Sequence, residues 1–174
     1  SWLEQGHDFI KEQMFCHTLE ELLSIPGASG NESKIRQVVR EKITPFVDFI
    51  TEDRYGNLLA EKTYGGGHGP TILLSAHLDT VFEIEPNHTI SKEDGIWTSS
   101  KGILGADDRA GVAVLLETAK NLMNSSFSGK VKFIFSVEEE IGLCGARAID
   151  EYFIWGVNAT IVVDHGQWIM EFKV

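Results

Sequence analysis

Apolar positions near the start of the chain recur at helical spacing. Ile10, Met14, Phe15, Leu19, Leu22 and Leu23 fall three or four residues apart, which puts them on one face of a helix. Ile25-Pro26-Gly27-Ala28-Ser29-Gly30 breaks that period. Ser29 or Asn31 is suited to cap a second helix, which turns Ile35, Val38, Val39 and Ile43 inward and stops before Pro45. Phe46–Thr51 and Leu58–Thr63 then read as strands around a Tyr55-Gly56-Asn57 turn, and Gly65–Gly69 as a surface loop. Thr71–Ala76 is a continuous apolar run with the character of a strand covered on both faces, and Val131–Val137 and Ala159–Val163 read as a second and third buried strand. Between the first two, Val112, Leu115, Leu116, Ala119 and Leu122 make one stripe of a helix over Asp107–Met123. Residues 83–101 are irregular apart from a weak strand at Ile96-Trp97-Thr98, and Ala146–Tyr152 reads as a short helix. Strands alternating with helices predict an α/β layered domain, and no repeat or low-complexity linker divides the chain.

Composition narrows the function. Fifteen Lys and Arg against 26 Asp and Glu leave a net charge of −11 with no basic cluster, so no nucleic-acid surface is expected. The apolar runs are far shorter than the ~18 residues of a membrane span, so no membrane partner is expected either. No basic-then-apolar leader opens the chain, and only Cys16 and Cys144 are present, which fits reduced thiols in the cytoplasm.

Four clusters of acidic and histidine residues sit at predicted element ends, where α/β proteins place their chemistry. His77-Leu78-Asp79 follows the first buried strand, and Asp107-Asp108 opens the long helix. Glu138-Glu139-Glu140 follows the second buried strand, and Asp164-His165 the third. Each has a plain alternative. A lone His77 suits a hydrogen-bonded core histidine, Asp107 and Asp108 suit helix capping, Glu138–Glu140 a solvated turn and Asp164 a strand-end loop. Together they place one imidazole and several carboxylates at neighbouring strand ends, a donor set for a cation such as zinc. There is no Gly-x-x-x-x-Gly-Lys phosphate cradle and no Gly-x-Ser-x-Gly nucleophile elbow, and Cys144 lacks an evident base.

The ordered motifs His77-Leu78-Asp79-Thr80-Val81, Gly105-Ala106-Asp107-Asp108-Arg109-Ala110-Gly111, Glu139-Glu140-Ile141-Gly142 and Val162-Val163-Asp164 resemble the dinuclear zinc exopeptidases related to peptidase T, carboxypeptidase G and acetylornithine deacetylase. A sister family of zinc aminopeptidases shares the paired-Asp and paired-Glu motifs but separates the His and Asp-Asp motifs by an inserted domain. Only thirty positions separate His77 from Asp107, which favours the peptidase T side. The resemblance implies a three-layer α/β/α catalytic domain and hydrolysis of short peptides, aminopeptidase- or tripeptidase-like. His77, Asp107 and Asp164 would hold one zinc, with Asp107 bridging to a second held by Glu140. Catalysis would fall to Asp79, which orients His77, and to Glu139, the general base that deprotonates the bridging water. The Asp107–Asp108 peptide would be cis, and cobalt or manganese could replace zinc. A deacylase of N-acyl amino acids is the neighbouring activity within the resemblance.

Complete members of that family insert a lid or dimerisation domain after the Asp164 motif and return with a late histidine for the second metal. Residues 1–167 would then be the N-terminal portion of the catalytic domain, and 168–174 the start of the crossover to the lid. Without the return segment the second metal keeps Asp107 and Glu140 alone, so one metal or none is expected in this chain. Adjacent residues at a strand end point apart, which keeps His165 from substituting. The rival expectation is an inert half-peptidase acting as a metal-binding or interaction module. Dimers could form through the lid or through surface the return segment would cover.

Overall fold

A computed structural model of the chain describes residues 2–164 and 169–172. Its centre is a six-stranded sheet in the order β1-β2-β6-β3-β7-β8. In chain order these are β1 (Phe49–Glu52), β2 (Leu58–Tyr64), β3 (Thr71–His77), β6 (Gly129–Ser136), β7 (Ala159–Val162) and β8 (Ile169–Phe172). Three neighbours, β6, β3 and β7, run parallel, so their carboxyl ends share one rim. Antiparallel strands extend this core on both sides.

Register sorts the side chains. Ala60 pairs with Phe133, which pairs with Leu74; Leu58 pairs with Phe135, which pairs with Ala76. These residues form one buried face under Leu19, Leu22 and Leu23 of α1 (Trp2–Leu23), Ile35, Val39 and Ile43 of α2 (Ser33–Ile43), and Val112, Leu115, Leu116 and Ala119 of α3 (Ala106–Leu122). The opposite face is thinner. Leu59, Leu73 and Ile134 are covered by Ile149, Phe153 and Val157 around α4 (Cys144–Arg147) and α5 (Glu151–Ile154). Buried Lys132 on that face donates to the carbonyls of Phe153 and Trp155, closing the end of α5. Helices therefore flank the sheet on both faces, a mixed α/β fold of the expected layering.

Several local expectations are corrected. Ile10 and Met14 are exposed, because only the last two turns of α1 reach α3 and the sheet. Residues 83–101 contain a hairpin, β4 (Ile90–Glu93) with β5 (Ile96–Ser99). The expected 146–152 helix is two short turns, and β7 is only half-buried, with Val162 39% exposed. Its outer neighbour is the four-residue β8, and Ile161 is only partly buried against the main core. His165 and the ends of the expected crossover, Trp168, Lys173 and Val174, lie outside the described residues.

Candidate metal centre

Parallel pairing gathers the acidic clusters. His77 at the end of β3 pairs with Ser136 at the end of β6, so the Val137–Glu140 segment emerges beside it. On the other side Ser75 pairs with Val162, which brings Asp164 to the same rim. Asp107 enters from the head of α3, where its backbone (φ −84°, ψ 108°) is not yet helical. The Asp107–Asp108 peptide is cis.

His77 is the focus. Its Nε2 lies 3.1 Å from Asp107 Oδ1 and 3.9 Å from both Glu139 Oε2 and Asp164 Oδ1. Donor atoms of His77, Asp107 and Asp164 lie within 4.8 Å of one another, as do those of His77, Glu139 and Glu140. The other ring nitrogen, Nδ1, faces Asp79 Oδ1 at 3.2 Å, which aims Nε2 at the carboxylates. Asp108 turns away from the cluster: its carboxylate accepts the amides of His77 (3.1 Å) and Gly111 (3.0 Å). A Cβ at Gly111 would lie 2.3 Å from Asp108 Oδ1, so this close approach requires glycine.

The electrostatics describe a centre short of positive charge. Burial pushes the His77 imidazole down, but the hydrogen bond to Asp79 and the charges of Asp108, Asp79 and Asp164 outweigh it and raise it to about 9. Burial raises Glu139, with Asp164, Asp79 and Asp107 adding to the shift against the opposing pull of His77. Glu140 is also raised, by burial first and then by Asp107. Burial lifts Asp108 to about 8. All of these upward shifts favour bound protons, and for the three carboxyls burial is the largest cause. The donor set fits a divalent cation on its own chemistry: one imidazole nitrogen and carboxylate oxygens 3.1 to 3.9 Å from it. Ligands about 2.0–2.2 Å from a tetrahedral zinc stand at comparable distances from each other.

Some participants were not foreseen. Ser29, Asn31 and Glu32 have the composition of a helix start, yet none caps α2: its N-cap, Glu32, makes no side-chain capping bond. Ser29 Oγ donates to Asp79 Oδ2 (2.6 Å), Asn31 Nδ2 to Glu83 Oε1 (2.6 Å), and Glu32 accepts the amide of Glu138 (3.1 Å). Asn57, read as a turn residue, is fully buried and accepts the amide of Val137 (3.1 Å). Cys144 is partly exposed at the start of α4.

An imidazole ringed by carboxylates at the carboxyl ends of three parallel strands is a donor set able to hold a cation. The chain belongs to the M42 glutamyl aminopeptidase family, whose profile matches residues 84–173. That span holds the paired-Asp and paired-Glu motifs. The fold is also that of a tripeptidase from Staphylococcus aureus, with a TM-score of 0.81 and 29% identity over 90% of this chain and 44% of that one. Aminopeptidase PepT from Bacillus cereus gives a TM-score of 0.81 and 28% identity over 89% of this chain and 44% of that one. The protein YqjE of Bacillus subtilis is 30% identical over 154 residues, 83% of this chain and 41% of YqjE. The chain thus spans about two fifths of the length of these relatives. Among the described residues, no helix is long and apolar enough to cross a membrane.

Proposed function

We propose that the protein is a metal-dependent exopeptidase that releases the N-terminal residue of short peptides, with residues 1–167 forming the first part of its catalytic domain. The observation that carries this reading is the convergence of Asp107, Glu139 and Asp164 on His77 Nε2. In this reading His77, Asp107 and Asp164 hold one zinc, and Glu140 with Asp107 serves a second. Bound zinc would acidify water and polarise the scissile carbonyl. Glu139 takes the proton of the attacking water and returns it to the leaving amine. Asp79 holds His77 through Nδ1 and keeps Nε2 turned to the carboxylates. The peptide substrate is supported by the similarity to a tripeptidase and to PepT, and the preference for an N-terminal residue by the aminopeptidase family.

A tripeptide panel tests the reading. The protein with its complete catalytic domain, loaded with metal, is expected to release the first residue, to lose that activity on dialysis against a chelator, and to regain it with zinc. Hydrolysis that survives chelation, or release of the last residue instead, would refute it.

A further inference from the structure

Four consecutive backbone amides, those of Val137 to Glu140, each donate to a side-chain oxygen from elsewhere in the chain. Val137 donates to Asn57 Oδ1 (3.1 Å) and Glu138 to Glu32 Oε1 (3.1 Å). Glu139 donates to Asp79 Oδ1 (2.9 Å) and Glu140 to Asp79 Oδ2 (3.1 Å). The segment lies beyond β6, so no ladder supplies partners for these groups. Their acceptors come from three separate places: the loop before α2, the turn between β1 and β2, and the segment after β3.

Asp79 already belongs to the centre; Asn57 and Glu32 touch none of its donor atoms. Asn57 is fully buried and Glu32 is 5% exposed. Asn57 also closes the far end of the loop, because its Nδ2 donates to Gly145 O (2.9 Å) and to Asp53 Oδ2 (2.7 Å). There the Gly145 amide donates to Val137 O (3.1 Å), so one side chain holds both ends of the 137–145 loop. The junction is tight: a Cβ at Gly145 would lie 2.2 Å from Val137 O and 2.5 Å from Asn57 Oδ1. Between the two clamped amides, Glu138 is left-handed (φ 52°) and accepts a hydrogen bond from the Tyr55 hydroxyl (2.6 Å). Glu139 and Glu140, next in the chain, meet His77.

We propose that Glu32 and Asn57 are positioning residues for the catalytic glutamate. Resting on the reading of Glu139 as general base, the inference is that they fix the backbone at residues 137 and 138 and thereby set where the Glu139 carboxylate stands. Glu32 accepts two amides with one oxygen, those of Gly30 (2.9 Å) and Glu138, and so ties the loop before α2 to the catalytic loop. A base displaced by about 1 Å can lose ~10²-fold in rate without any change in the reacting groups.

Kinetics of the metal-loaded protein on a tripeptide, with amide hydrogen exchange of the metal-free protein, test this. Glu32→Ala and Asn57→Ala are expected to lower kcat roughly 10- to 100-fold with KM within about twofold. Exchange at residues 137–140 should quicken by about tenfold or more, as clamped amides open. Glu32→Gln keeps an acceptor oxygen and should restore both readings to near wild type, which a role in net charge would not do. Should Asn57→Ala fail to fold, Glu32→Ala and its repair by Glu32→Gln carry the test alone. Wild-type kcat in the alanine variants, or a loss that Glu32→Gln does not repair, overturns the inference. Glu139→Ala in the same assay separates the levels. If Glu139→Ala is inactive while the Glu32 and Asn57 variants run at full rate, positioning alone fails. Should Glu139→Ala itself retain full turnover, the base assignment fails and the inference with it.

Discussion

In the protein with its complete catalytic domain, replacing Glu139 with alanine is expected to lower peptide turnover by two or more orders of magnitude while zinc content stays at the wild-type level. Glu139 Oε2 is 3.9 Å from His77 Nε2, near enough to serve a water at the same centre. Its side chain is 25% exposed, open enough to meet that water yet sheltered enough that burial raises its pKa. A base that must take a proton and hand it on works best when its pKa approaches the working pH, so the upward shift runs in the useful direction. Loss of a general base costs about 10²–10⁴ in rate. Turnover and metal content measured on the same preparation check the prediction. Unchanged turnover would remove Glu139 from the mechanism, and lost metal with lost turnover would make it a ligand.

The second large effect falls on a residue outside the donor set. Asp79 is fully buried and its two oxygens meet four partners: His77 Nδ1, Ser29 Oγ, and the amides of Glu139 and Glu140. Burial opposes its charge, but the bonds from His77, Ser29 and the two amides prevail and hold the carboxyl down at about 2, below the usual 3.8. Asp79→Ala strands all four partners at once, and removing one member of such a buried set costs about 3–5 kcal/mol. Zinc binding should also weaken at least ~10–100-fold, because nothing then orients the imidazole. The acid limb carries the same signature. A folded pKa below the unfolded value means that the unfolded chain takes up this proton first. The Asp79 contribution is therefore complete above about pH 4, is lost as pH falls toward 2, and amounts to roughly 2 kcal/mol. Denaturant melts of metal-free wild type and Asp79→Ala should differ most above pH 4, and the gap should narrow by roughly 2 kcal/mol as pH falls toward 2. A constant difference across that range would contradict the assignment of the charge.

Much of the centre was legible because its chemistry is concentrated in short motifs at the ends of apolar runs. The runs at 71–76 and 131–137 read as buried strands from their composition, and β3 and β6 are those strands. His77 and Asp79 close the first run, and Glu139 and Glu140 come just after the second, so both pairs had to lie at a strand end. The supporting residues were not legible for a physical reason. Ser29, Asn31 and Glu32 have the composition of a helix start, and Asn57 that of a turn, and local pattern cannot show that their side chains reach across the fold. Asn57 bonds to Val137 and Gly145, 80 and 88 positions away. The exposed half of α1 has the same origin. Ile10 and Met14 keep the period of a buried face, but periodicity says nothing about how far the neighbouring layer extends.

Zinc titration of this chain by calorimetry at neutral pH tests the central claim most directly. His77, Asp107 and Asp164 bring three donor atoms within 4.8 Å of one another, enough for one zinc of ordinary quality. The account predicts at most one tight equivalent, with release of the imidazole proton to the buffer as the metal takes its place, and loss of that equivalent in His77→Ala. Two tight equivalents, or a tight equivalent that survives His77→Ala, would contradict it.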